Sequence, residues 1–193
     1  MRTRCEGCGT MVQGFEITSC GSMDEGYKDL CCRCFNGLMA ARSGLRDFQH
    51  VAFEPIVLVD CARKSHKFHF TSRLLGDILV LEAFELRKGV RGGYQFKLVG
   101  DPEEDPFELL RRLLERIRRA LSVRHLKRDA LGLCIAKHNT VRGRIDWDDT
   151  REGRVPLLTI DGKDIDWEQF GRMLMTYEGF QFKLEIRDPS EEV

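Results

Sequence analysis

The sequence predicts an α+β protein: a small cysteine-rich head, then a mostly antiparallel sheet with two main helices. Six of the eight cysteines fall within the first 34 residues. From Glu54 onward, short apolar stretches alternate with period two, as half-buried strands do. Two later segments, opening at Asp105 and Asp166, place a helix cap ahead of apolar residues at helical spacing.

The bulk numbers bound the class. A chain of 193 residues and 22.3 kDa is long enough for one large domain or two small ones with a buried core. The expected division is a head over residues 1–44 and a body over 50–193, the body readable as two similar halves, 50–130 and 131–193. Lys and Arg total 31 against 31 Asp and Glu, a balance that argues against coating nucleic acid or anionic lipid by bulk charge. The longest apolar runs, Ile56–Val59 and Ile78–Leu81, are far too short for a transmembrane helix, so no membrane role is expected. The opening Met1-Arg2-Thr3-Arg4-Cys5 does not read as a signal peptide, and a cytoplasmic location is expected.

In the head, Cys5-Glu6-Gly7-Cys8-Gly9 is a C-x2-C-G knuckle, and Cys31-Cys32-Arg33-Cys34 supplies a second C-x2-C pair. Each spacing lets one tight turn aim two sulfurs at one ion, and Gly9 permits the reversal that follows. Cys5, Cys8, Cys31 and Cys34 are therefore expected to bind one structural zinc. Disulfides are the competing reading; they suit a secreted chain, and nothing here marks secretion. Cys32 reads as a bystander and Cys20 as a small buried side chain. Between the pairs, Val12–Thr18 and Gly26–Leu30 are expected as strands around a turn at Gly21-Ser22-Met23-Asp24, and Phe35–Arg42 as a short helix ending at Ser43-Gly44.

A knuckle, a hairpin and a second cysteine pair at a helix start make residues 4 to 43 resemble the treble-clef zinc modules. The resemblance implies a four-thiolate site with no open coordination position, hence a structural metal and not a hydrolytic one. Treble clefs serve nucleic-acid binders, protein-interaction modules and enzymes alike, so this fold implies no single function.

The body reads as strands at Glu54–Asp60, Lys67–Thr71 with Phe68 and Phe70 on one face, Asp77–Leu86, where Leu79, Ala83 and Leu86 also fit a helix, and Tyr94–Val99. Gly89-Val90-Arg91-Gly92-Gly93 feeds a strand and not a helix, so it reads as a hairpin turn, not a phosphate cradle. Asp105 as N-cap, Pro106 at N1 and Glu108 at N3 start the first main helix with a capping box. Its expected apolar stripe is Phe107, Leu110, Leu113, Leu114, Ile117 and Leu121. The opposite face carries Arg111, Arg112, Arg118 and Arg119, within a stretch 105–128 that holds eight bases and three acids. These arginines are a candidate contact for nucleic acid or an acidic partner; the bland alternative is a solvated face with Glu108–Arg112 and Glu115–Arg119 pairs.

Strands are expected again at Leu133–Ala136, Val141–Trp147 and Val155–Ile160, with a turn at Asp161-Gly162. Asp166 caps the second main helix, whose Trp167, Phe170, Leu174 and Tyr177 share one face. That face is expected to pack on a last strand, Phe180–Ile186. This strand nearly repeats an earlier one: Gly93-Tyr94-Gln95-Phe96-Lys97-Leu98 returns as Gly179-Phe180-Gln181-Phe182-Lys183-Leu184, each soon followed by Asp-Pro. Duplication and chance similarity of alternating strands both account for it. Arg73-Leu74-Leu75-Gly76, Val141-Arg142-Gly143-Arg144-Ile145 and Phe170-Gly171-Arg172-Met173-Leu174 make the chain similar to bacterial proteins of unknown function with a treble-clef head before an α+β body.

No nucleophile elbow, zincin motif or Walker loop is present. Asp146, Asp148, Asp149 and Glu152 suggest a hard-cation site, but they lie between two expected strands, where acidic turn residues are routine. Pairs such as Cys61 with His66 or Cys134 with His138 offer weak second metal sites, and Trp147 and Trp167 read as core anchors. The function expected first is a zinc-stabilised, non-enzymatic adaptor for another protein. The alternatives are nucleic-acid binding through the zinc head and helix 105–128, and an enzyme with a site at 146–152.

Overall fold

The computed structural model describes residues 2–23, 26–130, 132–188 and 191. Asp24 of the first expected turn and Pro189 of the second Asp-Pro pair lie outside the described residues. Among the described residues the protein is α+β, with three α-helices and every strand pairing antiparallel. The strands divide into five small sheets, two in the head, where one hairpin was expected, and three in the body, where one sheet was expected.

The head pairs β1 (Arg2–Arg4) with β2 (Met11–Gln13), and β3 (Ile17–Ser22) with β4 (Gly26–Cys31). The single strand expected over Val12–Thr18 is interrupted by a 3-10 turn, Gly14–Glu16, where Gln13 N donates to Glu16 Oε2 at 2.8 Å. Helix α1 (Cys32–Ser43) starts at the second cysteine pair rather than at Phe35, and Gly44 caps it in the left-handed conformation.

The body is centred on a four-stranded meander of β5 (Ile56–Val59), β6 (Ser65–Leu75), β7 (Ile78–Arg87) and β8 (Val90–Gly100). The β7–β8 turn is the dipeptide Lys88-Gly89, with φ of 52° and 83°, the mirror-image turn that matches strand twist. Gly92 and Gly93, expected in that turn, instead lie inside β8 at a bulge. There Gly93 has φ 65°, and a Cβ would collide with the Glu85 carboxylate.

One face of this sheet, built by Phe68, Phe70, Leu74, Leu79, Leu81, Ala83 and Leu98, packs under α2 (Pro106–Leu121). The buried residues of α2 are Leu109, Leu113, Ile117 and Leu121; Phe107, expected on that stripe, is 62% exposed and rests edge-on against Phe53. Asp105 caps as expected, accepting from Phe107 N at 2.9 Å, but the Glu108 carboxylate turns to Arg111 and the capping box does not close. The head covers the opposite face. Phe15 meets His69 and Phe84 edge-on, and Arg73 donates to Thr18 Oγ1 at 2.9 Å and to the Phe15 carbonyl at 3.1 Å. Glu82 gathers Arg73, Arg91 and Thr71 beside that contact.

Beyond α2, β9 (Leu126–Asp129) and β10 (Gly132–Ile135) form a hairpin, and β11 (Gly143–Trp147), β12 (Pro156–Ile160) and β13 (Lys163–Ile165) form a three-stranded sheet. Asp166 caps α3 (Trp167–Met175) by accepting from Gln169 N at 2.7 Å. This helix docks on β10 and β12, where packing on the repeated strands at β8 and residues 180–186 was expected. It does so through Met173, with Phe170 and Tyr177 at its margin; Trp167 and Leu174 are 48% and 45% exposed. A three-stranded sheet covers only a narrow stripe of the helix, so the face turns from Leu174 to Met173. Trp147, the other expected core anchor, is 67% exposed. The strand expected at Phe180–Ile186 does not form: among the described residues the segment has no strand partner, and its four large apolar side chains are 69–90% exposed.

The two α2 stripes are separable in urea melts. Ile117→Ala should cost about 2–5 kcal/mol, as emptying a buried aliphatic site does, whereas Phe107→Ala should change stability by less than about 0.5 kcal/mol beyond its edge contact.

Candidate metal centre

The head has too few large apolar residues for a core of its own; Leu30 and Phe35 are its main buried ones, clustered with Cys5 and Cys31. What organises it is the cysteine pairs. In the knuckle, Cys5 N donates to the Thr10 carbonyl at 2.9 Å and Gly9 N to the Cys5 carbonyl at 2.8 Å, and Gly9 takes φ 74°. This turn lifts Cys5 and Cys8 toward the end of β4 and the start of α1, where Cys31 and Cys34 sit. Glu6 ties the knuckle to β4: its amide donates to the Asp29 carbonyl at 2.9 Å, and its carboxylate accepts from Asp29 N at 2.5 Å.

The sulfurs of Cys5, Cys8, Cys31 and Cys34 all lie within 4.8 Å of one another, and Cys8 and Cys31 Sγ are 3.9 Å apart. A tetrahedral ion with metal–sulfur bonds near 2.3 Å needs sulfur–sulfur edges of about 3.8 Å. The set therefore fits a four-coordinate metal ion. No other group of three or more potential ligands assembles among the described residues, and all eight cysteines are free of disulfides.

The thiols are chemically unequal. Hydrogen bonds from the Thr10 hydroxyl and amide hold the exposed Cys8 thiol down to about 6. For Cys5, burial acts to raise it, but backbone amides, Cys31 N at 3.2 Å first among them, prevail and lower it. Burial raises Cys31, and burial reinforced by the neighbouring sulfurs pushes Cys34 up to about 12. Four thiolates this close repel one another, and a divalent cation at their centre removes that repulsion. Cys32 stays apart: it is buried, its Sγ donates to the Glu16 carbonyl at 3.3 Å, and burial raises its thiol. Cys20 is half-buried against the head core.

The other candidate residues are distributed. Arg111 binds Glu108 and Glu115, and Arg112 binds Glu104 at 2.6 Å; neither contact is the expected Glu108–Arg112 pair. Arg118 and Arg119 are exposed on the same helix. The acidic turn does not converge. Asp146 binds Arg144 and Thr159, Asp148 caps Thr150, and Glu152 binds Arg154. Cys134 Sγ faces Asp129, and the buried His66 faces carboxylates, not Cys61.

That histidine belongs to a cluster the sequence did not reveal. His66 Nδ1 lies 2.9 Å from Glu85 Oε1 and Nε2 lies 3.3 Å from Asp60 Oδ2, while Arg124 reaches Asp60 at 2.9 Å. Burial acts to raise the Asp60 carboxyl, yet hydrogen bonds from the Lys64 amide, Arg124, His66 and the Ala62 amide outweigh it and hold it well below the usual range. The stability this provides is present above the ordinary carboxylate pKa and is lost as pH falls through the lowered one. Its polar atoms are spent on one another, so the cluster joins β5, β6 and β7 to the segment after α2.

Three adjacent stretches match models of domains of unknown function: residues 4–46 (DUF7685), 49–122 (DUF7686) and 125–191 (DUF7713). No curated protein and no solved structure matches the chain.

Replacing Cys8 by Ser should cost the chain its bound metal and unfold the head, whereas Cys32→Ser should leave the stoichiometry unchanged. Elemental analysis after metal-replete expression decides it, and metal should be released as acidification protonates the thiolates. Equal metal content in both variants would remove Cys8 from the centre.

Proposed function

We propose that this chain is a zinc-stabilised, non-enzymatic protein-interaction module of the reducing cytoplasm, its head a treble-clef site in which Cys5, Cys8, Cys31 and Cys34 bind structural zinc. The four-sulfur geometry and the two C-x2-C spacings support zinc, which prefers tetrahedral thiolate sets. A closed four-thiolate shell leaves the ion no position for substrate.

The observation that carries the interaction reading is the segment Phe180–Ile186. Phe180, Phe182, Leu184 and Ile186 alternate with polar residues, as a strand's buried face does, yet no strand among the described residues receives them. Four large apolar side chains held in water at alternate positions fit a partner that adds this segment to a sheet edge. Nucleic-acid binding has less support, because Arg111 and Arg112 are already paired with acids of the same chain.

The chain recovered from its native host should bring with it a protein, lost when Phe182 and Leu184 are replaced by Asp while the thermal melt is unchanged. Retention of DNA or RNA that weakens steeply with salt, and disappears when Arg111, Arg112, Arg118 and Arg119 become Gln, would transfer the function to nucleic acid.

A further inference from the structure

The three-stranded sheet β11–β12–β13 has one open edge among the described residues. At its far side β13 lies against β8, and Arg87 bridges to Asp164 at 2.7 Å and to the Gly162 carbonyl. Its other outer strand, β11, has no neighbour beyond β12. On β11, Ile145 and Trp147 are 58% and 67% exposed, and they share the face on which Leu158 and Ile160 meet the core under α3. That core face is therefore uncovered where it reaches the open edge.

The segment Phe180–Ile186 has what this edge lacks. Aligned antiparallel to β11 with Ile145 opposite Leu184, it sets Trp147 opposite Phe182 on the apolar face. On the polar face the same register sets Arg144 opposite Glu185 and Asp146 opposite Lys183; Arg144 pairs with Asp146 and Lys183 with Glu185 in the single chain, and docking exchanges these for complementary pairs across the edge. A slip of two residues one way puts Arg144 opposite Lys183. The opposite slip puts Arg144 opposite Arg187 and Asp146 opposite Glu185. A slip of one residue turns every apolar side chain to the wrong face. Charge and apolar patterning thus select one register.

The chain's own segment does not occupy its own β11. Phe180 N donates to the Tyr177 carbonyl at 2.9 Å, and further on the Glu191 carbonyl accepts from Arg116 of α2. Between these points its apolar side chains stand in water. Tethered at both ends, the segment has less conformational entropy left to lose on pairing.

We infer that residues 180–186 of one copy add to the open edge of β11 in a second copy, and that the exchange is reciprocal in a two-fold dimer. The inference rests on the reading of the chain as a protein-interaction module and names its partner. A two-fold arrangement uses both donors and both edges, leaving neither exposed. Another open edge, β5, shows Val57 and Val59 to solvent but carries no charged residue to set a register.

Light scattering on the full metal-replete chain over a concentration series tests this. The wild-type chain should reach a dimer mass. A chain ending at Glu178 should stay monomeric, and Lys183→Glu should weaken dimerisation by roughly tenfold or more. The double variant Phe182→Asp, Leu184→Asp lacks a competent donor, and the double variant Ile145→Lys, Trp147→Lys lacks a competent edge. Each should be monomeric alone, and the two should form a heterodimer when mixed, because one intact donor then meets one intact edge. Circular dichroism confirms that each is folded; should the edge variant not fold, the truncation and Lys183→Glu on the exposed segment decide the matter. A wild-type chain monomeric throughout, a dimer that survives truncation, or wild-type dimerisation by the folded edge variant would each overturn the inference. A monomer that still loses a different protein partner on Phe182→Asp would overturn the second copy as partner while leaving the interaction reading intact.

Discussion

The Asn36 side chain joins the two parts of this protein. It is fully buried on α1, and its amide donates to the Ser72 carbonyl at 3.0 Å while its oxygen accepts from Leu74 N at 2.9 Å. Strand β5 pairs with β6 only over Ser65–Phe68, so the edge of β6 beyond that point would otherwise be bare. Asn36 satisfies two backbone groups of that edge as a neighbouring strand would, and His50 Nδ1, 2.9 Å away, meets the second amide hydrogen. An apolar residue at this position would bury an unsatisfied donor and acceptor, at about 1–3 kcal/mol each.

This contact makes the cysteine centre matter beyond the head. Helix α1 begins at Cys32, within the second cysteine pair, so whatever fixes Cys31 and Cys34 also fixes where Asn36 stands. Ala40 and Met39 of the same helix extend the core beneath α2, while Phe15 and Thr18 on the far side of the head engage His69 and Arg73. The meander is thereby clamped on one face and one edge by a unit with almost no apolar core of its own. A metal ion bound by the four cysteines would provide what that small core cannot.

Local chemistry was legible in the sequence where a residue acts on its near neighbours. The C-x2-C spacings located the four sulfurs that converge, Asp105 and Asp166 located two helix starts, and the alternation of Phe68 and Phe70 located a core face. Tertiary choices were not legible. Helical spacing admits both Phe107 and Leu109 near the inner stripe of α2, and the sheet selects Leu109. The same ambiguity lies between Leu174 and Met173 on α3. Asn36 looks like an ordinary helix residue until the edge it serves is known, and nothing near His66 announces Asp60, Glu85 and Arg124. The alternation in Phe180–Ile186 has the period of a strand, but period alone does not supply a neighbour to pair with, and among the described residues none pairs there.

The central claim is that the four-cysteine centre holds α1 in the position from which Asn36 closes the edge of β6. Amide hydrogen exchange measured before and after a chelator removes the metal tests it most directly. Chelation should speed exchange throughout α1 and at Leu74, while the Leu81 and Ala83 amides, in the middle of β7, keep their protection. Unchanged protection of α1 and Leu74 in the metal-free chain would show that the head docks without its ion and would contradict the account.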